Sequence, residues 1–153
     1  MSKKKQTSDL TTHLGYWLRL VSNHVSQAFA RKVESQGVTV AEWVMLRALF
    51  SHEEVLPSEL AETLGMTRGA ISKLSDRLLN KKLISRTAHE QDGRAHTLAL
   101  TRTGRELVPA LAALADANDE EFFSHLSASE YSVLKALMQR IAAANDLRDP
   151  PIG

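Results

Sequence analysis

The chain has 153 residues, 43% hydrophobic and 24% charged, which is enough for one domain with a real core. Its net charge of +1 hides a split: residues 66–105 hold nine Lys/Arg against three Asp/Glu, whereas residues 106–153 hold three against eight. The absence of cysteine excludes disulfides, thiolate metal sites and thiol-based peroxide sensing, and no apolar run approaches the ~18 residues of a membrane span, so the expected location is cytoplasmic.

The lysines at 3–5 read as a tail with at most a weak phosphate contact, and Asp9, His13 and Arg19 interrupt any signal-peptide-like apolar stretch behind them. Leu10, Leu14, Trp17, Leu18, Val21, Val25, Phe29 and Val33 recur at steps of three and four, which predicts a long amphipathic helix ending near Gly37. Thr39 and Glu42 form a capping box for a second helix through Leu46, Leu49 and Phe50, with Val38 and Trp43 as its hydrophobic staple. Residues 51–56 read as a connection. Pro57 suits the first position of a short third helix with Leu60, Ala61 and Leu64 inward, and Gly65 suits its left-handed cap. Thr67 then caps a fourth helix with Ala70, Ile71, Leu74 and Leu78 inward and Arg68, Gly69, Ser72, Lys73, Asp76 and Arg77 outward.

The period changes next. Residues 83–87 and 96–100 read as two short strands around a polar connection, 89–95, whose Asp92-Gly93 is a turn signal. Thr101 caps a fifth helix over about 102–123, with a kink expected at Pro109. Ser127 and Glu130 form a second capping box, and the sixth helix carries Tyr131, Leu134, Met138 and Ile141 inward until Asp149-Pro150-Pro151 stops it.

A short helix, a glycine turn, a second helix and a hairpin make a winged helix-turn-helix. The fold class is thus mainly α with a small antiparallel β-hairpin. Its second helix presents Arg68, Gly69, Ser72, Lys73 and Arg77, the small, polar and basic residues that let a backbone approach base edges in a major groove, while Arg94 at the hairpin tip reaches the phosphates or the minor groove. The same pattern also suits a winged-helix module used for dimerisation or protein docking.

These segments together resemble the MarR family of regulators. The resemblance rests on Ser58-Glu59-Leu60-Ala61-Glu62-Thr63-Leu64-Gly65, on Thr67, Ile71, Ser72, Leu74 and Leu78, and on Leu83-Ile84-Ser85-Arg86. Asp92-Gly93-Arg94 and Leu98-Ala99-Leu100-Thr101-Arg102-Thr103-Gly104 complete it in order. It implies a single chain with a helical dimerisation lobe (8–36 and 102–147) and a DNA-binding lobe (38–100). The recognition helix would span 67–77 and start at Thr67. Arg94 would be the wing arginine, Asp92 its charged partner, and Arg86 a phosphate contact or a tie between wing and helix. The function implied is a double-stranded DNA-binding transcriptional regulator, a ligand-responsive repressor acting on a pseudo-palindrome as a homodimer.

The resemblance also implies an effector, a small aromatic or phenolic acid, between the lobes. His13, Tyr16, Trp17, Arg19, Trp43 and Arg47 are its candidate contacts, although Trp17 and Trp43 equally read as core residues and Arg19 and Arg47 as ion-pair partners. No enzyme site emerges. His89-Glu90 lacks a second histidine four residues on, and no phosphate loop or nucleophile elbow is present. The six histidines show no helical metal-site spacing, so no catalytic residue, metal or cofactor is expected.

Overall fold

The computed structural model describes residues 6–89 and 92–148; the lysines at 3–5 and the side chains of His89 and residues 92–95 lie outside that set. A 3-10 turn at Leu10–Thr12 precedes α1 (Leu14–Glu34), so the first long helix starts one turn later than its apolar spacing suggests. Then come α2 (Val40–Phe50), α3 (Pro57–Leu64), α4 (Arg68–Asn80), β1 (Ile84–His89), β2 (Asp92–Leu100), α5 (Arg102–Phe123) and α6 (Ala128–Ala144).

Local chemistry sets most boundaries. Thr39, Thr67, Thr101 and Ser127 each accept a hydrogen bond from the backbone N–H three residues on, and Thr39 and Ser127 complete capping boxes with Glu42 and Glu130. Helix C-termini close the same way four times, the first at Gly37 (φ 82°), where Val38 N–H returns to the Val33 carbonyl. At Gly65 (φ 63°), Lys82 (φ 60°) and Asp146 (φ 53°) the chain likewise turns left-handed, and the next N–H returns to a carbonyl five residues back: Met66 to Ala61, Leu83 to Leu78 and Leu147 to Ala142. Asp146 therefore ends α6 before the Asp149-Pro150-Pro151 stop expected from sequence. α5 runs from Arg102 to Phe123 with Pro109 inside it.

The core gathers Val33 and Val38, Met45, Leu46 and Leu49 of α2, Leu60 of α3, Ile71, Leu74 and Leu78 of α4, Ile84 and Leu98 of the hairpin, and Val108 and Leu111 of α5. The hairpin pairs antiparallel from Ile84 opposite Leu100 to Ala88 opposite His96, then shifts register so that His89 lies opposite Asp92. The polar connection is thus shorter than 89–95: β2 already starts at Asp92, which pairs with His89 across the register shift. Residues 51–56 are not a bare connection either: Val55 and Leu98 exchange backbone hydrogen bonds of 2.8 Å each, which fastens the loop after α2 to the hairpin base.

The long apolar stripe of α1 divides. Its end packs into the core through Ala28 and Val33, while Leu14, Trp17, Leu18 and Val21 are exposed. α6 goes further: none of its residues is buried, and the supposedly inward Tyr131, Leu134, Met138 and Ile141 face solvent at 37–49% exposure. The helical period was right, but no surface among the described residues covers that face. Among the described residues, every exposed large hydrophobic side chain falls within 10–21 or 131–147.

Candidate nucleic-acid interface

α3 and α4 pack against each other across the Met66–Ala61 closure, with Ile71, Leu74 and Leu78 of α4 buried. A fourth inward residue, Ser75, is also buried and donates its hydroxyl to the Ile71 carbonyl at 2.7 Å, so it costs no unpaired donor. The opposite face is bare: Arg68, Gly69, Ser72, Lys73, Asp76 and Arg77 are all exposed. Arg68, Lys73 and Arg77 pair with no carboxylate among the described residues, so three cations stand on one helical face with their charge uncompensated. Thr67 uses its oxygen to accept from Ala70 N–H at 3.1 Å, which leaves its hydroxyl proton available to a phosphate or base acceptor. A β-carbon on Gly69 would meet nothing nearer than Thr67 Oγ1 at 4.0 Å, so nothing inside the chain requires that glycine.

Asp76 interrupts the cationic face, and Arg86 of β1 approaches it at 3.6 Å. Arg86 thus reaches from the hairpin to α4. The backbone of Asp92 and Arg94 lies in β2, but their side chains are outside the described residues, so the expected pairing between them is not described.

The second end of α4 holds a connection that the sequence reading missed. Lys81, the C-cap, donates from Nζ to the Gly37 carbonyl at 2.8 Å and to both carboxylate oxygens of Glu42, at 3.0 and 2.8 Å. Glu42 is 1% exposed. Burial pushes its carboxyl up, but hydrogen bonds from Lys81 and Thr39 outweigh that and hold it below the usual carboxylate range. Glu42 had announced itself only as a capping-box residue. Its ion-pair partner lies 39 residues away, and no local pattern signals that.

The candidate effector residues do not converge within one chain. His13, Tyr16, Trp17 and Arg19 lie on the exposed beginning of α1, where Trp17 Nε1 donates to the Thr11 carbonyl and its ring meets Tyr16 edge-on at 5.2 Å. Trp43 is half-buried against the core, as its packing reading expected, whereas Trp17, 47% exposed, is not a core residue here. Arg47 donates to Ser51 Oγ and lies over the Phe50 ring, and neither it nor Arg19 pairs with a carboxylate among the described residues. Clefts of about 400 Å³ beside Asp116 and Tyr131, 540 Å³ beside Lys81 and Leu107, and 480 Å³ beside His52 and Arg105 contain none of the six.

With this geometry in place, the sequence profile of the MarR family matches residues 36–95, the stretch from the end of α1 to the hairpin. Over those residues the chain is similar to the MarR family. A relative from Bacillus subtilis, the HTH-type transcriptional repressor MdtR, is 31% identical over 100 residues, covering 65% of this chain and 64% of that protein. The putative transcriptional regulatory protein for the hcr operon of Thauera aromatica is 28% identical, covering 84% of this chain and 78% of the other. Among solved MarR-like structures, the MepR–DNA complex of Staphylococcus aureus superposes with a TM-score of 0.76 at 28% identity, covering 86% of this chain and 98% of MepR. No helix among the described residues is long and apolar enough to cross a membrane.

Proposed function

We propose that this chain works as a homodimeric, sequence-specific DNA-binding regulator of transcription, a repressor and not an enzyme, with one α4 helix of each copy in successive major grooves of a pseudo-palindrome about 34–36 Å apart. The carrying observation is the outer face of α4: Arg68, Ser72, Lys73 and Arg77 are exposed around Gly69, and its three cations have no carboxylate partners among the described residues. Thr67 and Arg86 flank this face, and Arg94 of the wing is the proposed contact beyond it. The acidic charge of residues 106–153 keeps the opposite lobe off the phosphates. That S. aureus MepR, of the same fold, was solved as a DNA complex supports the reading.

Pairing is supported by the exposed apolar surface on the first half of α1 and along α6, which a second copy would cover. His13, Tyr16, Trp17 and Arg19 border that surface. A crevice for a small aromatic or phenolic acid would therefore be completed by the second copy rather than within one chain. A regulator of this kind works in the cytoplasm.

Selection of bound duplexes from a random pool tests the reading. The expected result is two related half-sites about one helical turn apart, with affinity falling as salt rises by a slope near −0.9 per neutralised phosphate. Arg68→Ala should cost about 1–3 kcal/mol at the selected site and relax selection at one base position. No enrichment, salt-independent binding or a monomeric mass by light scattering would overturn it.

A further inference from the structure

We propose that Lys81 is a positioning residue: it sets the angle of α4 against the helical frame and thereby the half-site separation that the protein accepts, an inference that rests on the DNA-reading function above. The geometry is specific. One ammonium joins three helix ends, since Lys81 is the C-cap of α4, Gly37 follows the C-terminus of α1, and Glu42 stands in the first turn of α2. A cation suits the carbonyl end of α1 and an anion suits the amide end of α2, so Lys81 and Glu42 each sit at the helix end that stabilises their charge. An ammonium has three protons. All three are engaged, by Gly37 O, Glu42 Oε1 and Glu42 Oε2, so none is left for a phosphate.

The other side-chain links from within α4 stay inside the reader, while the backbone carbonyls of Lys82 and Leu83 just beyond it accept from Thr101 at the start of α5. Ser75 returns to its own helix at Ile71, and Asp76 meets Arg86 of the hairpin. Among the described residues, the Lys81 side chain alone carries a hydrogen bond from the end of α4 to the end of α1. α1 is also the helix whose first half offers apolar surface to a second copy. A change in how two copies sit together therefore reaches α4 through the Gly37 carbonyl and the Lys81 ammonium. Glu42 anchors the contact: it is buried, and the hydrogen bonds that keep it ionised make it direction-dependent.

The test measures affinity for the selected operator, for operators with its half-sites moved together or apart by one base pair, and for a single half-site. Lys81→Met keeps the aliphatic stem and removes the charge. Its preference for the selected spacing should fall by about fivefold or more while single-half-site affinity stays within about twofold of the parent. Lys81→Arg should retain the preference, and Glu42→Gln should weaken it, which also carries the test if Lys81→Met does not fold. Unchanged spacing preference in Lys81→Met and Glu42→Gln overturns the proposal. So does an equal loss on every duplex, single half-site included, which marks a merely structural role. A parent that binds no paired half-sites overturns the DNA-reading function itself, and this inference with it.

Discussion

Gly104 lies so close beneath Leu83 that a β-carbon on it would stand 2.1 Å from the Leu83 carbonyl oxygen. The same carbonyl accepts the Thr101 N–H at 3.0 Å, and the Thr101 hydroxyl donates to the Lys82 carbonyl at 2.8 Å, so the start of α5 is docked on the end of α4 through backbone groups that cannot move aside. Gly104→Ala should therefore destabilise the fold by about 2–3 kcal/mol, a fall in Tm of about 5–10 °C. Thermal denaturation followed by circular dichroism checks this, and an unchanged Tm would mean that α5 can shift freely.

Gly69 predicts the opposite sign for stability. Its absent side chain has no neighbour within the chain closer than Thr67 Oγ1, and alanine is the better helix former. Gly69→Ala should raise stability by up to about 0.5–1 kcal/mol while weakening operator affinity, because the added methyl stands between the α4 backbone and the groove. Denaturant titration and a binding isotherm on the same variant read both effects; a tighter complex would refute the close approach.

The Lys81–Glu42 pair predicts an acid limb in the stability profile. The Glu42 carboxyl is held below its unfolded value, so its stabilisation is present above the usual carboxylate range and is lost as pH falls through the lowered folded value. Glu42→Gln should flatten that part of a Tm-against-pH curve. Lys81→Met at neutral pH should cost about 2–3 kcal/mol by leaving a buried carboxylate unpaired, less than the ~3–5 kcal/mol of a fully buried pair because the Lys81 side chain is 38% exposed. The double variant Glu42→Met/Lys81→Met should recover most of that loss in equilibrium unfolding.

Lys82 holds a left-handed conformation, φ 60°, that glycine adopts more readily. Lys82→Gly should stabilise the fold by about 0.5–1 kcal/mol, since the motif's hydrogen bonds come from backbone groups and the buried Leu83 and Leu78 remain. A lower unfolding midpoint in urea would show that the lysine side chain contributes more than its backbone costs.

Elements governed by short-range chemistry were legible in the sequence. Thr39 with Glu42, Ser127 with Glu130, Pro57, Gly65 and Thr67 each act on neighbours within a turn, and each does in the structure what its residue type implies. The outward face of α4 followed from helical period alone. What escaped was of two kinds. Left-handed caps at Lys82 and Asp146 carry no compositional signal, because a non-glycine residue there is held by its surroundings. Long-range partners escaped too: Lys81 with Glu42, Val55 with Leu98, and Asn118, which accepts from Lys32 at 2.9 Å and donates to the Val25 carbonyl at 3.2 Å to tie α5 to α1. The side chains of the Asp92–Arg94 wing motif lie outside the described residues, so that part of the candidate site rests on sequence alone.

A helix of 17 residues with none buried gains little from its own chain, and most helical stability in proteins comes from packing of an apolar face. With pairing as proposed, α6 acquires its solvent-free side only when two copies meet, so folding of that segment and assembly become one equilibrium. At low abundance the population of competent readers then grows as the square of the chain concentration. Occupancy of an operator becomes a steeper function of expression level than any single contact with the duplex would make it.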